Sequence, residues 1–445
     1  MKSSTFWGGI HPKAHKELTN KMAISDYTPK GELVFPLTQH LGAPNKATVK
    51  KGDLVYVGTT LAESDAPMSA PVLSSVSGVV KEVALRQTSG GNFEECVVVE
   101  NDGNYTLDKS WGKPTTDKSE YVSVIRRAGI VGFGGATFPT AFKLTPPPTA
   151  TITHIILNGA ECEPYLNCDN RLMIEAGDEV LKGLTLMLEL FPSAKGVVGI
   201  EANKPEAIKS MAENLSSLQN ENALAKQICV MPLKVKYPQG AEKMLIEAVT
   251  GKEYPIRTLP AGVGCIIINV RTAQQIYRAI AFGEPSTERI VTVSGDAIKE
   301  PQNIRTKLGT NIQELIDFCG GFSEEPIKII NGGPMMGQTM RSLDSPVTKG
   351  TSGILALTKK SAPIKSASPC IRCGKCIEAC PMGLAPLTLD SLVLARKYDE
   401  FEANGGMNCI ECGSCAYVCP AFRRLTQSFR EGKASVNANR KSQKK

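Results

Sequence analysis

The sequence predicts a multidomain protein of β and α/β type that ends in a small cysteine-rich domain. Three observations support this fold class. Residues 1–112 contain short runs rich in Val, Gly, Thr and Ser, residues 113–285 alternate between strand-like and helix-like segments, and eight of the fourteen cysteines lie between residues 370 and 419. A chain of 445 residues is long enough for about three ordinary domains.

The composition is that of a soluble globular protein, with 42% hydrophobic and 21% charged residues. The longest apolar runs, such as residues 264–270, are far shorter than the ~18 residues that cross a bilayer. Residues 1–16 lack the apolar segment of a secretory signal. We therefore expect a cytosolic chain whose cysteines stay reduced.

The net charge of +7 is concentrated at the C-terminus, where residues 433–445 contain five basic and no acidic residues. We expect a solvated basic tail, with contact to an anionic lipid or a partner as the alternative. We expect no nucleic-acid binding, because the sequence contains no basic face with interleaved aromatic residues.

The first 112 residues predict a small domain of short β-strands. The expected strands cover residues 33–37, 54–57, 79–83 and 96–100. Segments 49–53 and 70–80 resemble the two half-motifs of lipoyl and biotinyl carrier domains. Those domains attach their cofactor to a lysine at a hairpin tip, but no lysine lies between Lys51 and Lys81. We therefore expect a lipoyl-like barrel-sandwich domain without a carrier role.

Residues 113–285 predict an α/β domain with a largely parallel sheet, and residues 286–360 predict a smaller mixed domain. The expected strands of the first cover residues 151–157, 197–200, 228–231 and 265–268, with helices near residues 180, 205 and 241. The second is expected to have strands at residues 290–293 and 327–330 and a helix at 312–318. A linker rich in Ser, Ala, Lys and Pro follows at residues 361–369.

Two cysteine runs repeat with an offset of 39 residues, and each ends in Cys-Pro. Three thiolates spaced in this way wrap one face of a [4Fe–4S] cluster, and in two-cluster ferredoxins the fourth cysteine of each run binds the other cluster. The spacing predicts one cluster bound by Cys370, Cys373, Cys376 and Cys419, and a second bound by Cys409, Cys412, Cys415 and Cys380. Zinc is the alternative, but it usually takes two ligand pairs from separate loops.

The other cysteines and the histidines have no metal-ligand spacing. We expect them to be ordinary buried or surface residues, including the two cysteines that flank an acidic loop. They are Cys96, Cys162, Cys168, Cys229, Cys265 and Cys319, and His11, His15, His40 and His154.

Two loops in the α/β region are candidates for a ligand site. The first contains Gly132, Gly134, Gly135 and Lys143. Alone, it is either a plain tight turn or a backbone that lets a phosphate or flavin approach. In the second, Asn158, Glu161 and Glu163 follow a predicted strand, at the edge where α/β sheets bind ligands. Its carboxylates are otherwise solvated surface groups.

Together the two loops resemble the NADH- and FMN-binding subunit of respiratory complex I. That family has a Gly-x-Gly-Gly-Ala-Gly-Phe-Pro-Thr-Gly-Leu-Lys loop, then Asn-Ala-Asp-Glu-x-Glu-Pro, a Gly-Glu-Glu turn and an Asn-x-Glu-Thr strand end. The resemblance implies FMN lined by Gly132, Gly134, Gly135, Lys143, Asn158, Glu161, Gly240, Asn269 and Thr272, and NADH contacted by Phe138, Glu163 and Glu242. Thr137, Ala160 and Ala241 depart from the family pattern.

Segments 6–12 and 36–44 extend the resemblance to the RnfC family, which belongs to the Rnf ion-translocating electron-transport complex. That family orders a lipoyl-like barrel, a flavin and NADH domain, a β-grasp ligand-binding domain and a two-cluster ferredoxin domain. The implied bounds are 1–112, 113–285, 286–360 and 361–432, with a basic tail at 433–445.

The resemblance implies hydride transfer from NADH to non-covalent FMN, because a flavin converts a two-electron donor into single electrons that [4Fe–4S] clusters accept. The implied partners are NADH, the other Rnf proteins and, through them, ferredoxin, with Na⁺ or H⁺ pumped by membrane subunits. The implied position is peripheral, on the cytoplasmic side of the inner (plasma) membrane. The alternatives are a soluble cobalamin reductase of microcompartment type and a non-enzymatic electron-wiring subunit.

Overall fold

The computed structural model describes residues 4–253, 255 and 258–442, and these form four β-sheets with helices around them. The N-terminal β domain contains two small antiparallel sheets. The first has the strand order β2 (Glu32–Pro36), β8 (Phe93–Asn101), β7 (Gly78–Gln87) and β4 (Leu54–Val55), and the second has β3 (Lys46–Ala47), β5 (Thr60–Glu63) and β6 (Val72–Leu73). Four of these strands overlap the predicted ones.

A parallel four-stranded sheet forms the centre of the α/β domain, as predicted from the alternation of apolar runs and helix-like segments. Its strand order is β11 (Ile228–Leu233), β10 (Lys195–Glu201), β9 (His154–Gly159) and β12 (Cys265–Asn269). Its helices are α1 (Tyr121–Arg127), α2 (Thr140–Lys143), α3 (Cys168–Glu175), α4 (Gly177–Leu190), α5 (Pro205–Glu221), α6 (Glu242–Thr250) and α7 (Val270–Phe282). The continuous apolar strands are buried on both faces.

A mixed six-stranded sheet forms the third domain. Its strand order is β1 (Ile24–Asp26), β14 (Gln302–Lys307), β13 (Glu288–Ser294), β17 (Gly353–Leu357), β15 (Lys328–Asn331) and β16 (Gln338–Thr339), and α8 (Ile312–Phe318) packs on it. The edge strand β1 comes from the N-terminal segment, which the sequence analysis assigned to the barrel. Leu33 and Phe35 of the barrel share one hydrophobic core with Val291, Ile304 and Leu315 of this sheet.

The cysteine-rich domain is helical. Its helices are α9 (Lys375–Glu378), α10 (Pro386–Leu394), α11 (Tyr398–Ala403), α12 (Ser414–Tyr417) and α13 (Leu425–Ser442). Short 3₁₀ turns elsewhere in the chain cover Lys16–Leu18, Lys118–Glu120, Ala223–Gln227 and Pro260–Val263, and one in this domain covers Gly406–Asn408. Leu389, Phe401 and Phe429 form its small core.

The basic residues expected to form a separate solvated tail instead continue helix α13. Val436 is buried in the domain core, and Lys433 donates to the carbonyl oxygen of Cys409 at 2.9 Å and pairs with Glu411 at 2.7 Å. Apolar side chains of α13 pack against α10 and α11, which is why the helix persists past residue 432. Residues 443–445 of the expected tail lie outside the described residues.

The N-terminal segment ties the cysteine-rich domain to the α/β domain. Ser4 pairs with Leu233, and Ile10 exchanges two backbone hydrogen bonds of 2.8 Å with Tyr237. Between these contacts, the amide of Gly9 donates to the carbonyl of Ala379 at 3.2 Å. The module after the predicted linker is therefore packed against the rest of the chain.

Lys349 joins three domains from a fully buried position. Its ammonium donates to the carbonyl oxygens of Pro71 at 2.6 Å and Gly129 at 2.7 Å, and its amide donates to Gln39 at 3.0 Å. Burial lowers the pKa of Lys349 to about 7.

We predict that Lys349→Met changes the pH dependence of unfolding. Between pH 7 and the ordinary pKa of 10.5, the unfolded chain holds a proton at this lysine that the folded chain has released. The free energy of unfolding of the wild type, relative to Lys349→Met, should therefore rise with pH across this window, on the order of 1 kcal/mol per pH unit. Denaturant titrations of both proteins measure the difference; a pH-independent difference would refute the prediction.

Candidate functional site

The residues predicted to line a ligand meet at the carboxyl edge of the parallel sheet. Asn158 lies in the last part of β9, Asn269 ends β12, and Gly240 follows β11. The amide nitrogen of the Asn158 side chain donates to the carbonyl of Gly240 at 2.8 Å, so the second loop and the turn before α6 are held together. Strand β12 ends at Asn269, as the family pattern implies, and helix α7 begins at the next residue. The Asn269 side chain caps this helix by accepting a hydrogen bond from the amide of Arg271.

The glycine-rich loop is closed at its base and open at its tip. Gly132 donates to the carbonyl of Phe138 at 2.9 Å, while the backbone of residues 134–136 is exposed. A β-carbon on Gly134 would lie 2.5 Å from the side-chain nitrogen of Asn269, whereas one on Gly135 would meet nothing within 4 Å. Only glycine therefore fits at position 134 without a shift of Asn269.

Two buried side chains support this loop from behind. Thr272 accepts from the amide of Phe133 at 3.0 Å and donates to the carbonyl of Val131 at 3.1 Å. Arg289 of the mixed sheet donates to the carbonyl of Phe133 at 2.6 Å. Both groups are buried, so Thr272 holds the loop rather than facing its open side. Arg289 was not predicted, because it lies far away in the sequence.

Lys143 and Glu242, predicted to contact different ligands, lie together beside the loop. The Lys143 ammonium is 2.5 Å from a Glu242 carboxylate oxygen and donates to the carbonyl of Ile267 at 3.2 Å. It also lies 5.7 Å from the centre of the Phe138 ring. A cation, a carboxylate and an aromatic ring thus lie together at the sheet edge beside the glycine-rich loop, a position that we call the mouth of the sheet edge.

Glu161 has an internal role. Its carboxylate accepts from the amides of Asp169 at 2.7 Å and Asn170 at 3.2 Å, and its backbone φ is +42°. The Asp169 carboxylate in turn accepts from the Asn269 side chain at 2.7 Å. Burial, and then the charge of Glu161, raise the pKa of Asp169 to about 6.

Two buried lysines were missed by the sequence analysis. Lys204 donates to the carbonyl of Ala160 at 2.7 Å and pairs with Glu201 at 3.4 Å. Lys16 donates to the carbonyl of Glu163 at 3.1 Å. Lys204 follows β10 at the sheet edge, so the positional argument that selected Asn158 would have found it; no sequence signal marks Lys16.

Glu163, predicted to contact NADH, is partly buried, and its carboxylate is bound by the mixed-sheet domain. Its two carboxylate oxygens accept from the amides of Met335 at 3.0 Å and Met336 at 2.9 Å. The hydroxyl of Tyr237 lies 3.4 Å from one of these oxygens. Burial raises the pKa of Glu163 to about 7.

The eight clustered cysteines surround two separate cavities. The outer cysteine site, lined by Cys370, Cys373, Cys376 and Cys419, opens on the surface. The inner cysteine site is lined by Cys380, Cys409, Cys412 and Cys415. Each cavity thus takes three cysteines from one run and the fourth from the other. Cys370 and Cys373 are exposed, whereas Cys380, Cys412 and Cys415 are buried.

The donor set fits [4Fe–4S] clusters better than single zinc ions. Within the described part of the chain, Glu161, Cys168 and Asp169 are the only three potential ligands whose donor atoms lie within 4.8 Å of one another. In neither cysteine set, therefore, do three sulfur atoms lie as close together as binding to a single zinc ion requires, given Zn–S bonds of about 2.3 Å. Burial raises the pKa of Cys409 to about 11, and a bound metal centre would supply the positive charge that stabilises its thiolate.

Comparison with known families assigns all four domains. Residues 4–104 match the RnfC barrel sandwich hybrid domain, and residues 125–278 match the Nuo51 FMN-binding domain. Residues 290–339 match the SLBB domain, and residues 362–420 match a 4Fe-4S dicluster domain. The chain therefore has an FMN-binding domain and a domain for two [4Fe–4S] clusters.

Whole-chain relatives decide the family. The RnfC protein of the Na⁺-translocating ferredoxin:NAD⁺ oxidoreductase complex of Acetobacterium woodii is 45% identical, with 99% of both chains covered. The chain belongs to the RnfC family. The corresponding protein of the proton-translocating complex of Clostridium ljungdahlii is 43% identical over 89% of this chain and 86% of its own length. The Rhodobacter capsulatus relative, from an ion-translocating oxidoreductase complex, is 40% identical over 100% and 86%.

The fold of this RnfC-family chain also occurs in a more distant solved structure. An NAD⁺-reducing [NiFe]-hydrogenase in the air-oxidized state matches with a TM-score of 0.50 and 16% identity. The match covers 70% of this chain and 63% of that chain. At this identity the likeness concerns the fold alone.

We predict that the fourth cysteine of each run serves the other run's cluster. Cys380→Ala should eliminate the inner cluster, because its sulfur lines the inner cysteine site, and Cys419→Ala should eliminate the outer one. The test compares the EPR spectra of the reduced variants with those of Cys412→Ala and Cys373→Ala.

The spectrum left in Cys380→Ala should match that of Cys412→Ala. A match to Cys373→Ala instead would contradict the crossed arrangement. Replacing the exposed thiol of Cys229 by alanine controls for the loss of a cysteine and should leave both signals intact.

Proposed function

We propose that this chain is the electron-input subunit of a membrane Rnf complex, moving electrons between NADH and ferredoxin in association with ion translocation by partner subunits. The observation that carries the proposal is spatial order. The carboxyl edge of the parallel sheet beside the glycine-rich loop is called the flavin-type edge. This edge, the inner cysteine site and the outer cysteine site follow one another from the α/β domain to the protein surface.

The flavin site is proposed at the glycine-rich loop. FMN would supply hydride acceptance and release of single electrons, which a cluster alone cannot do. The open backbone of residues 134–136 leaves room for a ring or phosphate, and the Lys143 ammonium offers a charge for the phosphate. Asn158, Gly240 and Asn269 shape the site, while Glu161 and Thr272 hold its loops.

The nicotinamide nucleotide is proposed to enter beside Phe138 and Glu242. The aromatic ring offers a stacking surface, and the carboxylate suits the hydroxyl groups of a ribose. The Lys143 contact holds Glu242 in place before the nucleotide binds. Ala160 and Ala241 replace acidic residues of the family pattern, so we assign the ribose contact to the Glu242 carboxylate.

The fold of the mixed-sheet domain, the domain bounds and the location of the chain are proposed from its membership of the RnfC family. The mixed-sheet domain is proposed to have the β-grasp fold, within bounds near 286–360, and the α/β domain to cover 113–285. Among the described residues, no helix combines the length and apolar character that a membrane span needs. We therefore propose attachment to the cytoplasmic face of the membrane through partner subunits, with the outer cysteine site exchanging electrons with them.

The alternatives receive less support. Relatives that cover 89–100% of the chain are C subunits of ion-translocating oxidoreductase complexes, which favours the Rnf role over a soluble cobalamin reductase. The match of residues 125–278 to the Nuo51 FMN-binding domain favours a flavin-containing chain over an electron-wiring subunit without a nucleotide site. Relatives named for Na⁺ and for protons are about equally similar, so the coupling ion is left open.

We predict that Gly134→Ala weakens FMN binding but leaves both clusters intact. Its new β-carbon would press on Asn269, and overpacking of about 1–3 kcal/mol should weaken FMN binding by about 5- to 150-fold. Iron content and reduction of the clusters by dithionite should stay at the wild-type level, while NADH-driven cluster reduction falls with FMN occupancy.

The matched control is Gly90→Ala, because position 90 has room for a β-carbon and lies away from the sheet edge. If FMN-free Gly134→Ala still passed electrons from NADH to the clusters at the wild-type rate, the proposed function would fail.

A further inference from the structure

Tyr237 lies at the contact between the α/β domain and the inner cysteine site. It is among the largest fully buried side chains, and its backbone is paired with Ile10. Its hydroxyl donates to the carbonyl oxygen of Cys412 at 2.7 Å. Ile10, Tyr237, Ala379 and Cys412 form a small hydrophobic cluster around this hydrogen bond.

Glu163 completes a junction between three domains. It lies in the loop after β9, and it binds the amides of Met335 and Met336, which belong to the mixed-sheet domain. The carbonyl of Met335 in turn contacts Gly413, where a β-carbon would lie only 3.0 Å away and φ is +81°. The Glu163 carboxylate therefore reaches the cysteine run both through Met335 and through Tyr237.

Both oxygens of Glu163 are occupied by these contacts. A carboxylate whose two oxygens each accept a backbone hydrogen bond is a fixed group, because its loss leaves two amides without partners. Such a group is poorly placed to follow a nucleotide that binds and leaves. Glu242, which is more exposed, remains available at the mouth of the sheet edge.

We infer that Glu163 and Tyr237 are positioning residues that hold the inner cysteine run at a fixed separation from the flavin-type edge. This inference rests on the proposed function, and it replaces a nucleotide contact for Glu163 by a role in internal electron transfer. Neither residue touches a reacting atom; both act through the backbone of residues 412–413. A substitution far from the reacting groups that misplaces them by about 1 Å can lower a rate by about 100-fold.

The test separates the two steps of reduction in rapid mixing of the anaerobic holoprotein with NADH. In Glu163→Gln and Tyr237→Phe, flavin bleaching and the KM for NADH should stay within about twofold of the wild type. The later bleaching of the clusters should slow by about tenfold or more. Glutamine keeps the size of Glu163 but replaces one acceptor by a donor, and phenylalanine removes only the hydroxyl.

Glu378→Gln and Tyr417→Phe are matched controls, because they make the same chemical changes at exposed side chains of the cysteine-rich domain. They should leave both steps unchanged. A rise in the KM for NADH in Glu163→Gln, with the cluster step unaffected, would overturn the inference and restore the nucleotide contact.

A second readout does not depend on NADH. Hydrogen exchange of the amides of Met335 and Met336 should accelerate in Glu163→Gln, because one of them loses its carboxylate acceptor, and exchange of segment 409–413 should accelerate in Tyr237→Phe, because that segment loses its hydrogen bond from the Tyr237 hydroxyl. Unchanged exchange would also overturn the inference. If NADH failed to bleach even the wild-type flavin, the proposed function would fail, while the exchange measurement would still decide the positioning role.

Discussion

Carriers that exchange electrons must be held at a fixed separation, and in this chain that separation depends on how the cysteine-rich domain is seated. The seat is narrow. It includes the N-terminal segment, which passes between Tyr237 and Ala379, the hydrogen bond from Tyr237 to Cys412, and the contact of Met335 with Gly413. A linker rich in Ser and Pro precedes the domain, but these contacts prevent the free movement that such a linker would otherwise permit.

The other domains support this seat by sharing structure with one another. The N-terminal segment supplies β1 to the mixed sheet, and the barrel shares a hydrophobic core with that sheet. Lys349 and Arg289 reach from the mixed-sheet domain to the segment that contains the glycine-rich loop. The barrel therefore packs against the mixed-sheet domain, whose Arg289 supports the glycine-rich loop and whose Met335 and Met336 donate to Glu163.

Local sequence patterns predicted the parallel sheet of the α/β domain and the grouping of the eight clustered cysteines. Apolar runs located the strands of the parallel sheet, because a strand that is buried on both faces consists of consecutive apolar residues. The two cavities take the cysteines in the crossed arrangement expected from spacing, although ligand identity stays a prediction. Helix α13 was within reach too, since Leu425, Phe429 and Val436 recur at helical spacing, but the charges drew attention to a tail.

Long-range contacts were not predictable in this way. Met335 follows Glu163 by 172 residues, and neither residue type marks the contact. Thr272 and Glu161 fall within the family pattern, yet their side chains hold loops, which only the three-dimensional arrangement reveals. Lys16 and Arg289 are similar cases: buried charges whose partners are backbone carbonyls leave no complementary acidic residue in the sequence to indicate them.

The most direct test of the account is an anaerobic reduction of the wild-type holoprotein by NADH, followed by optical and EPR spectroscopy. The account predicts that the flavin absorbance bleaches and that EPR signals of two reduced [4Fe–4S] clusters appear. Clusters that dithionite reduces but NADH leaves oxidised, in protein with its full complement of FMN, would contradict it.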